Sequence, residues 1–293
     1  FNFKSGQYIT LQKEINGSAI RRAYSICSAP QSGDIRVAIK AVENGKFSTY
    51  ATSLLKVGDE IEITAPEGRF LLNPEANKNY IGFAAGSGIT PILSMIKTVL
   101  ETEASATFTL VYGNKSEADT MFHSELNTLK ASFSDRFNLH YIFSRENVKN
   151  ELRGRIDENV TNYFVKNMYK ETSFDEAFLC GPEEMIFSSK KALESLGIDK
   201  EKINNISAIF VENFGNIEIP SNKIIEWLNS GLEIHSEGDK CKLCGNTLNY
   251  KALENRVKQY NTNEKQKQKR KRILFHLIKK YKQFVRIIFF MRI

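Results

Sequence analysis

Along the first 73 residues, apolar and polar positions alternate in short runs: "GQYITLQ" (residues 6–12), "RAYSICS" (22–28), "IRVAIKAV" (35–42) and "DEIEITAP" (59–66). The turn-forming stretches "NGS", "QSGD" and "KVGD" separate them. A period of two bounded by such turns predicts short strands in a small antiparallel barrel. Near residues 73–74 the texture changes. "YIGFAA" is a continuous apolar strand, "TPILSMIKTVLE" has helical period, and "TFTLVYG" is a strand again. A helix over "EADTMFHSELNTLKASF", a strand over "FNLHYIFS", a helix near 157–168, a strand over "EAFLCG" and a helix over "EEMIFSSKKALESLG" follow. Strand and helix alternating at this spacing predict a doubly wound parallel sheet with helices on both faces. Beyond about Lys202 the regularity stops. The pattern divides the chain into a β-barrel over 1–73, an α/β domain over 74–205, and an atypical segment over 206–293 that is irregular or helical.

Composition narrows the possibilities. The 293 residues are 41% hydrophobic and 26% charged, the proportions of a soluble globular protein. The net charge of +7 is misleading, because eleven of the 41 basic residues but one of the 34 acidic ones lie over 264–293. The rest of the chain stands near −3, so no nucleic-acid binding is expected of the body. Four cysteines, two isolated and two as a C-x-x-C, do not make a disulfide framework, and a reducing cytoplasm fits them. No secretory leader pattern and no apolar run of ~18 residues is present. The chain begins with Phe in mid-pattern, and a missing first segment is expected.

Chemistry concentrates at the strand ends. In "AAGSGITPIL", Gly86 and Gly88 permit a tight turn and close backbone approach. Thr90 suits the N-cap and Pro91 the first helical position, so the exposed amides would accept a pyrophosphate. A tight turn without a ligand is the competing reading. The second α/β strand ends "VYGNKS", with no acid for a ribose 2′-hydroxyl, whereas the third ends "FSRE". Ser144 and Arg145 would therefore suit a 2′-phosphate; the alternative is a surface Arg145 paired with Glu146. "FLCGPEEM" places Cys180, Gly181 and Pro182 at another strand-to-helix turn. In the barrel, "RRAYSICSAP" carries Arg22, Tyr24 and Ser25 along one extended segment, an unusual set for a strand that only packs a core.

Four of these stretches, in this order and spacing, resemble the motifs of the ferredoxin–NADP reductase superfamily over residues 1 to about 203. "RAYS" resembles its flavin motif, "GKFST" its pyrophosphate loop, "GSGITP" its nicotinamide-nucleotide turn and "CGP" its cysteine turn. The flavour is that of reductase subunits of the phenylacetyl-CoA epoxidase type. The resemblance implies an NADPH-dependent flavoprotein that moves a hydride to FAD and electrons onward to an acceptor protein or small molecule. Tyr24 would pack on the flavin ring, Ser25 would hydrogen-bond near its N5, and Arg22 would neutralise its pyrophosphate. Backbone and hydroxyl groups of Lys46, Phe47, Ser48 and Thr49 would bind the same phosphates. Gly86, Gly88 and Thr90 would take the dinucleotide and Ser144 with Arg145 its 2′-phosphate. Cys180, beside Gly181 and Pro182, would sit near the nicotinamide.

Relatives of this kind start one strand earlier and end in a plant-type [2Fe–2S] domain with four cysteines. Here "SEGDKCKLC" supplies Ser236 at the first ligand position, then Cys241 and Cys244 with no later cysteine, so no iron–sulfur cluster is expected. The "CxxCGN" segment resembles that of SMC-like ATPases associated with anticodon nucleases, where it forms a metal-binding knuckle. Zinc on Cys241 and Cys244, or an unmetallated turn, are both open. The basic–apolar tail reads as a weak membrane-surface helix or as unselected sequence after a fusion. A truncated or fused remnant, with the C-x-x-C segment as a metal-linked interaction module and no reductase activity, is the rival reading.

Overall fold

The computed structural model describes residues 2–149 and 151–207, and the backbone of a strand at 285–290. Cys241 and Cys244 lie outside the described residues. Strands β1 (Tyr8–Ile15) and β2 (Ser18–Ser25) form a hairpin in register from Tyr8↔Ser25 to Ile15↔Ser18. Its two turn residues, Asn16 and Gly17, have φ of 51° and 73°, the positive values a tight hairpin needs and these residues tolerate. The other edge of β1 takes β4 (Glu62–Ile63) antiparallel, and paired backbone bonds between Tyr8 and Glu67 extend the contact. Strand β3 (Ile35–Lys40) joins through an antiparallel bridge between Ile26 and Val37. Helix α1 (Lys46–Ser53) closes the barrel with Phe47 and Ala51, which pack into a core of Ile9, Leu11, Ile26, Ile35, Val37 and Ile39.

The α/β half is a six-stranded parallel sheet in the order β10-β9-β5-β6-β7-β8. Its members are β5 (Asn79–Ala85), β6 (Thr107–Asn114), β7 (Phe137–Phe143), β8 (Leu152–Arg153), β9 (Glu176–Gly181) and β10 (Ile203–Ser207). Alternate residues feed two cores. Tyr80, Ala84, Phe178 and Cys180 face one, with α2 (Ile89–Thr102) and α3 (His123–Ser132). Ile81, Phe83, Ala177 and Leu179 face the other, with α4 (Glu158–Asn162) and α5 (Glu183–Ser195). Helix α2 is buried along residues 89–100, because one side meets the sheet and the other the barrel. The core on the α2 side continues through Cys27, Ala38, Phe70 and Leu72 into the barrel half.

The predicted architecture of antiparallel barrel and doubly wound sheet is the one observed, with differences at element ends. The helix expected from 117 begins at His123. Before it, Ser116 Oγ donates to Asp119 Oδ2 at 2.9 Å and Phe122 sits at φ 60°; local side-chain bonds of this kind hold a turn against helix formation. The helix near 157–168 is α4 followed by a π-helical turn at Tyr163–Met168. The run "DEIEITAP" yields two ladder residues, where Asp59 Oδ2 instead accepts from Lys56 N at 2.9 Å. The loss of regularity beyond Lys202 overlooked β10, which pairs parallel to β9. Within the segment expected to be irregular or helical, Val285–Phe290 is a strand (β11), parallel to β3 with Val285↔Ile35 and Phe290↔Lys40. Its β-branched and aromatic composition suits a strand, and the outer edge of β3 supplies the backbone partners.

Candidate functional site

In the barrel half, β2 and the start of α1 come together: the Tyr24 and Phe47 rings lie 5.9 Å apart. Arg22 and Tyr24 share one face of β2 and are half-buried, while Ser25 takes the opposite face. Ser25 is 6% exposed, and its hydroxyl has no hydrogen-bond partner among the described residues. A hydroxyl at this nearly buried residue with no protein partner is available to a ligand atom. One Arg22 Nη1 donates to the Arg21 carbonyl at 2.6 Å, which steadies the guanidinium.

The expected phosphate loop is the first turn of α1. Its N-cap, Gly45, offers no side-chain acceptor, so the amides of residues 46–48, at the positive helix end, have no partner among the described residues. Lys46 and Thr49 are exposed there. Phe47 is fully buried, and the Ser48 hydroxyl turns inward, donating to Gly45 O and accepting from Val42 N at 3.3 Å each. Those two can offer an anion their backbone amides but not their side chains. This corrects the hydroxyl expected of Ser48: the Gly45 turn consumes it.

In the α/β half, Gly86–Gly88 forms a 3₁₀ turn between β5 and α2. Gly86 has φ +56° and nothing within 4 Å of where a Cβ would stand, which leaves its outer side open to a ligand. The Tyr112 hydroxyl donates to Gly86 O at 2.9 Å and holds the turn. Gly88 serves packing: a Cβ there would lie 2.1 Å from Cys180 O. Gly88, not Thr90, is the N-cap of α2. Thr90 lies inside the helix and its hydroxyl donates back to Ser87 O at 3.0 Å, because the 3₁₀ turn runs straight into the helix and starts it two residues early.

The carboxyl end of β9 lies beside that of β5, through the pair Ala84↔Cys180. Here the strand order reverses, the usual crevice for nucleotides in open α/β sheets. Cys180 is 1% exposed and belongs to the core that reaches the barrel, Gly181 is buried, and exposed Pro182 leads into α5. Two strands away, Ser144 N donates to Asn114 O and Arg145 N to Lys115 O, both at 2.9 Å, which fixes this pair at the carboxyl edge. The Ser144 and Arg145 side chains make no hydrogen bond or ion pair among the described residues. The Glu146 carboxylate accepts from Glu117 N at 2.7 Å instead of pairing with Arg145. With strands spaced about 4.8 Å, the pair stands roughly 10 Å from the Gly86 turn.

Sequence reasoning passed over Tyr112, Ser94 and Lys97, although a lysine inside the apolar helix "ILSMIKTVL" was a visible signal. Cys27, just past the flavin-like motif, has its thiol pushed up to about 12 by burial, against the opposing pull of Lys97 and Arg36. It stays neutral and serves packing.

The residues present fit two dinucleotides. Open amide turns suit the phosphates, and among the described residues the hydroxyl next to Tyr24 and the arginine at the third strand end have no side-chain partner.

Comparison with known proteins agrees. The oxidoreductase FAD-binding domain family matches residues 1–71 and the oxidoreductase NAD-binding domain family residues 83–191. A component of the 1,2-phenylacetyl-CoA epoxidase of Escherichia coli is 39% identical over 207 residues, 70% of this chain and 58% of that protein, so the chain spans less than two thirds of that relative's length. NADH-cytochrome b5 reductase 1 of Scheffersomyces stipitis is 32% identical over 199 residues, 67% of this chain and 69% of that protein. In fold, the chain is similar to a ferredoxin NADP+ reductase from Neisseria gonorrhoeae with bound FAD and NADP (TM-score 0.58, 21% identity, 71% of this chain and 87% of that one). This chain therefore belongs to the ferredoxin–NADP reductase-like family of flavoprotein oxidoreductases, with an FAD-binding and an NAD-binding domain in succession.

Proposed function

We propose that the chain is a cytoplasmic reductase that takes a hydride from NADPH onto bound FAD and hands electrons to an acceptor. One observation carries the reading: a single buried core connects Cys27, two residues past Ser25, with Cys180 at the nucleotide edge, so both cofactor segments belong to one packed body. When bound, the nicotinamide supplies the hydride and the flavin receives it. The chain's part is to hold, orient and exclude water. Arg22 and the amides of residues 46–48 would neutralise the flavin pyrophosphate, with Lys46 and Thr49 at the rim. Tyr24 would lie on the ring, and Ser25 would donate its hydroxyl toward it. The open side of Gly86 would take the dinucleotide phosphates, Thr90 would brace that turn, and Ser144 with Arg145 would bind a 2′-phosphate. Buried Cys180 would wall the nicotinamide side against water. No acid–base residue is required.

NADPH is favoured over NADH because β6 ends on Asn114 without an acid, while Arg145 at the end of β7 has no carboxylate partner among the described residues. The acceptor follows only by class: the relatives include a cytochrome b5 reductase and a component of an epoxidase, which supports a protein acceptor.

Anaerobic titration of the purified protein tests this. The expected result is a yellow protein whose flavin absorbance is bleached by one equivalent of NADPH and more slowly by NADH. A colourless protein that takes up no added FAD would sink the reading.

A further inference from the structure

Helix α2 begins at the nucleotide turn, and two turns later it grips the barrel backbone just past the flavin segment. Ser94 Oγ donates to Ser28 O at 2.6 Å, and Lys97 Nζ reaches Cys27 O at 3.5 Å. Lys97 is 8% exposed, in a helix otherwise lined there by Ile92, Leu93, Met95, Ile96 and Val99. A buried ammonium is costly unless paired, and an aliphatic side chain would pack as well. Its partner is the Glu125 carboxylate of α3, which also lies 3.7 Å from Arg36 Nη1 on β3. Three charges from α2, α3 and the barrel thus meet at one junction, beside a cleft of about 380 Å³ also lined by Ser28 and Thr128. Lys97 stands about 12 Å along the helix from its first residue, at 1.5 Å per residue.

We propose that Lys97 is a positioning residue for hydride transfer: held by Glu125, it pins the backbone of residues 27–28 to α2 and so sets the distance between the flavin segment and the nucleotide turn. The inference rests on the reductase reading above. Hydride transfer is sensitive to separation, and a displacement of about 1 Å costs on the order of 100-fold in rate. Neither Lys97 nor Glu125 needs to touch a cofactor to exert this control.

Lys97→Met keeps an unbranched apolar stem and removes the charge; Lys97→Arg keeps the charge; Glu125→Gln removes the anchor's charge. In stopped flow of the FAD-loaded protein, Lys97→Met should lower the limiting rate of flavin reduction by NADPH about 10- to 100-fold. Flavin content and the affinity for 2′-phospho-AMP should be unchanged. Lys97→Arg should recover most of the rate, and Glu125→Gln should reproduce the loss in part. Hydrogen exchange at the amides of residues 27–29 should quicken in Lys97→Met while β5 and β6 stay protected. A Lys97→Met protein that reduces its flavin at the unaltered rate would overturn the proposal. So would a rate loss that tracks loss of flavin and is not recovered by Lys97→Arg. If the unaltered protein is not reduced by NADPH at all, the reductase reading fails by itself, and unchanged exchange at residues 27–29 would then overturn the strut as well.

Discussion

At Gly88, the methyl group of an alanine would stand 2.1 Å from the Cys180 carbonyl oxygen, whereas at Gly86 it would meet nothing within 4 Å. Gly88→Ala should therefore force the nucleotide turn off β9 and cost about 1–3 kcal/mol. Gly86→Ala should cost about 1–2 kcal/mol, from left-handed backbone alone. Urea denaturation of both variants checks the magnitudes; only Gly88→Ala should also disturb the near-ultraviolet signal of the sheet core. Under the proposed function, Arg22→Ala would remove a charge-assisted phosphate contact worth about 1.5–3 kcal/mol and should lower flavin occupancy. Ser25→Ala should leave flavin bound and slow its reduction. Arg145→Ala should raise the KM for NADPH roughly tenfold or more, for loss of one charged hydrogen bond, and leave that for NADH unchanged. Equal effects on both nucleotides would refute the 2′-phosphate assignment. The sequence singles out these side chains because each is unusual in a strand or turn that only packs. Ser48 was misjudged because its inward hydroxyl depends on the path of residues 42–45.

Among the elements, α4 has one side-chain cap: Asp157 Oδ1 accepts from Val160 N at 2.9 Å. Asp157→Ala should cost about 1 kcal/mol and loosen α4, which a thermal melt and hydrogen exchange in residues 158–162 would register. Strands β5 and β9 were legible because strands buried on both faces read as continuous apolar runs, and β6 and β7 because of their β-branched and aromatic content. Strand β10 was not. Its sequence "INNIS" has two polar residues at its centre, and its strand identity comes from the edge of β9. The start of α2 was read two residues late for a similar reason, since Thr90 and Pro91 carry the usual N-terminal signals but the preceding glycines had already turned the chain.

For the whole molecule, His140 gives a pH signature. It is half-buried in β7, its Nε2 2.7 Å from the Tyr169 hydroxyl and its ring 4.9 Å from Phe164. Burial, aided by Lys130, brings its pKa down from 6.5 to about 4. Between those values the unfolded chain binds a proton that the fold does not, so stability rises with pH there. The contribution is complete above about pH 6.5 and is lost as pH falls toward about 4. Glu151 and Glu176, raised by burial, act in the opposite sense. The clean measurement compares the unaltered protein with His140→Gln: stability should fall less steeply from pH 6.5 to 4 in the variant, and parallel curves would count against the assignment.

The sequence by itself determined the two-part architecture and the order of the main strands and helices of the sheet half, and it carried the motifs of an FAD-binding and an NAD-binding domain. Alternation, helical period and glycine turns are local properties that survive without knowledge of the fold. Tertiary structure decided what depends on partners distant in the chain. It gave Lys97 its carboxylate on Glu125 and its carbonyl on Cys27, and among the described residues it left the Ser25 hydroxyl without a partner while giving one to Ser48. It paired β10 and β11 with edges that no local pattern announces. Hydrogen bonds and burial at these places are set by elements distant from one another along the chain, and a one-dimensional period carries no information about which of them meet.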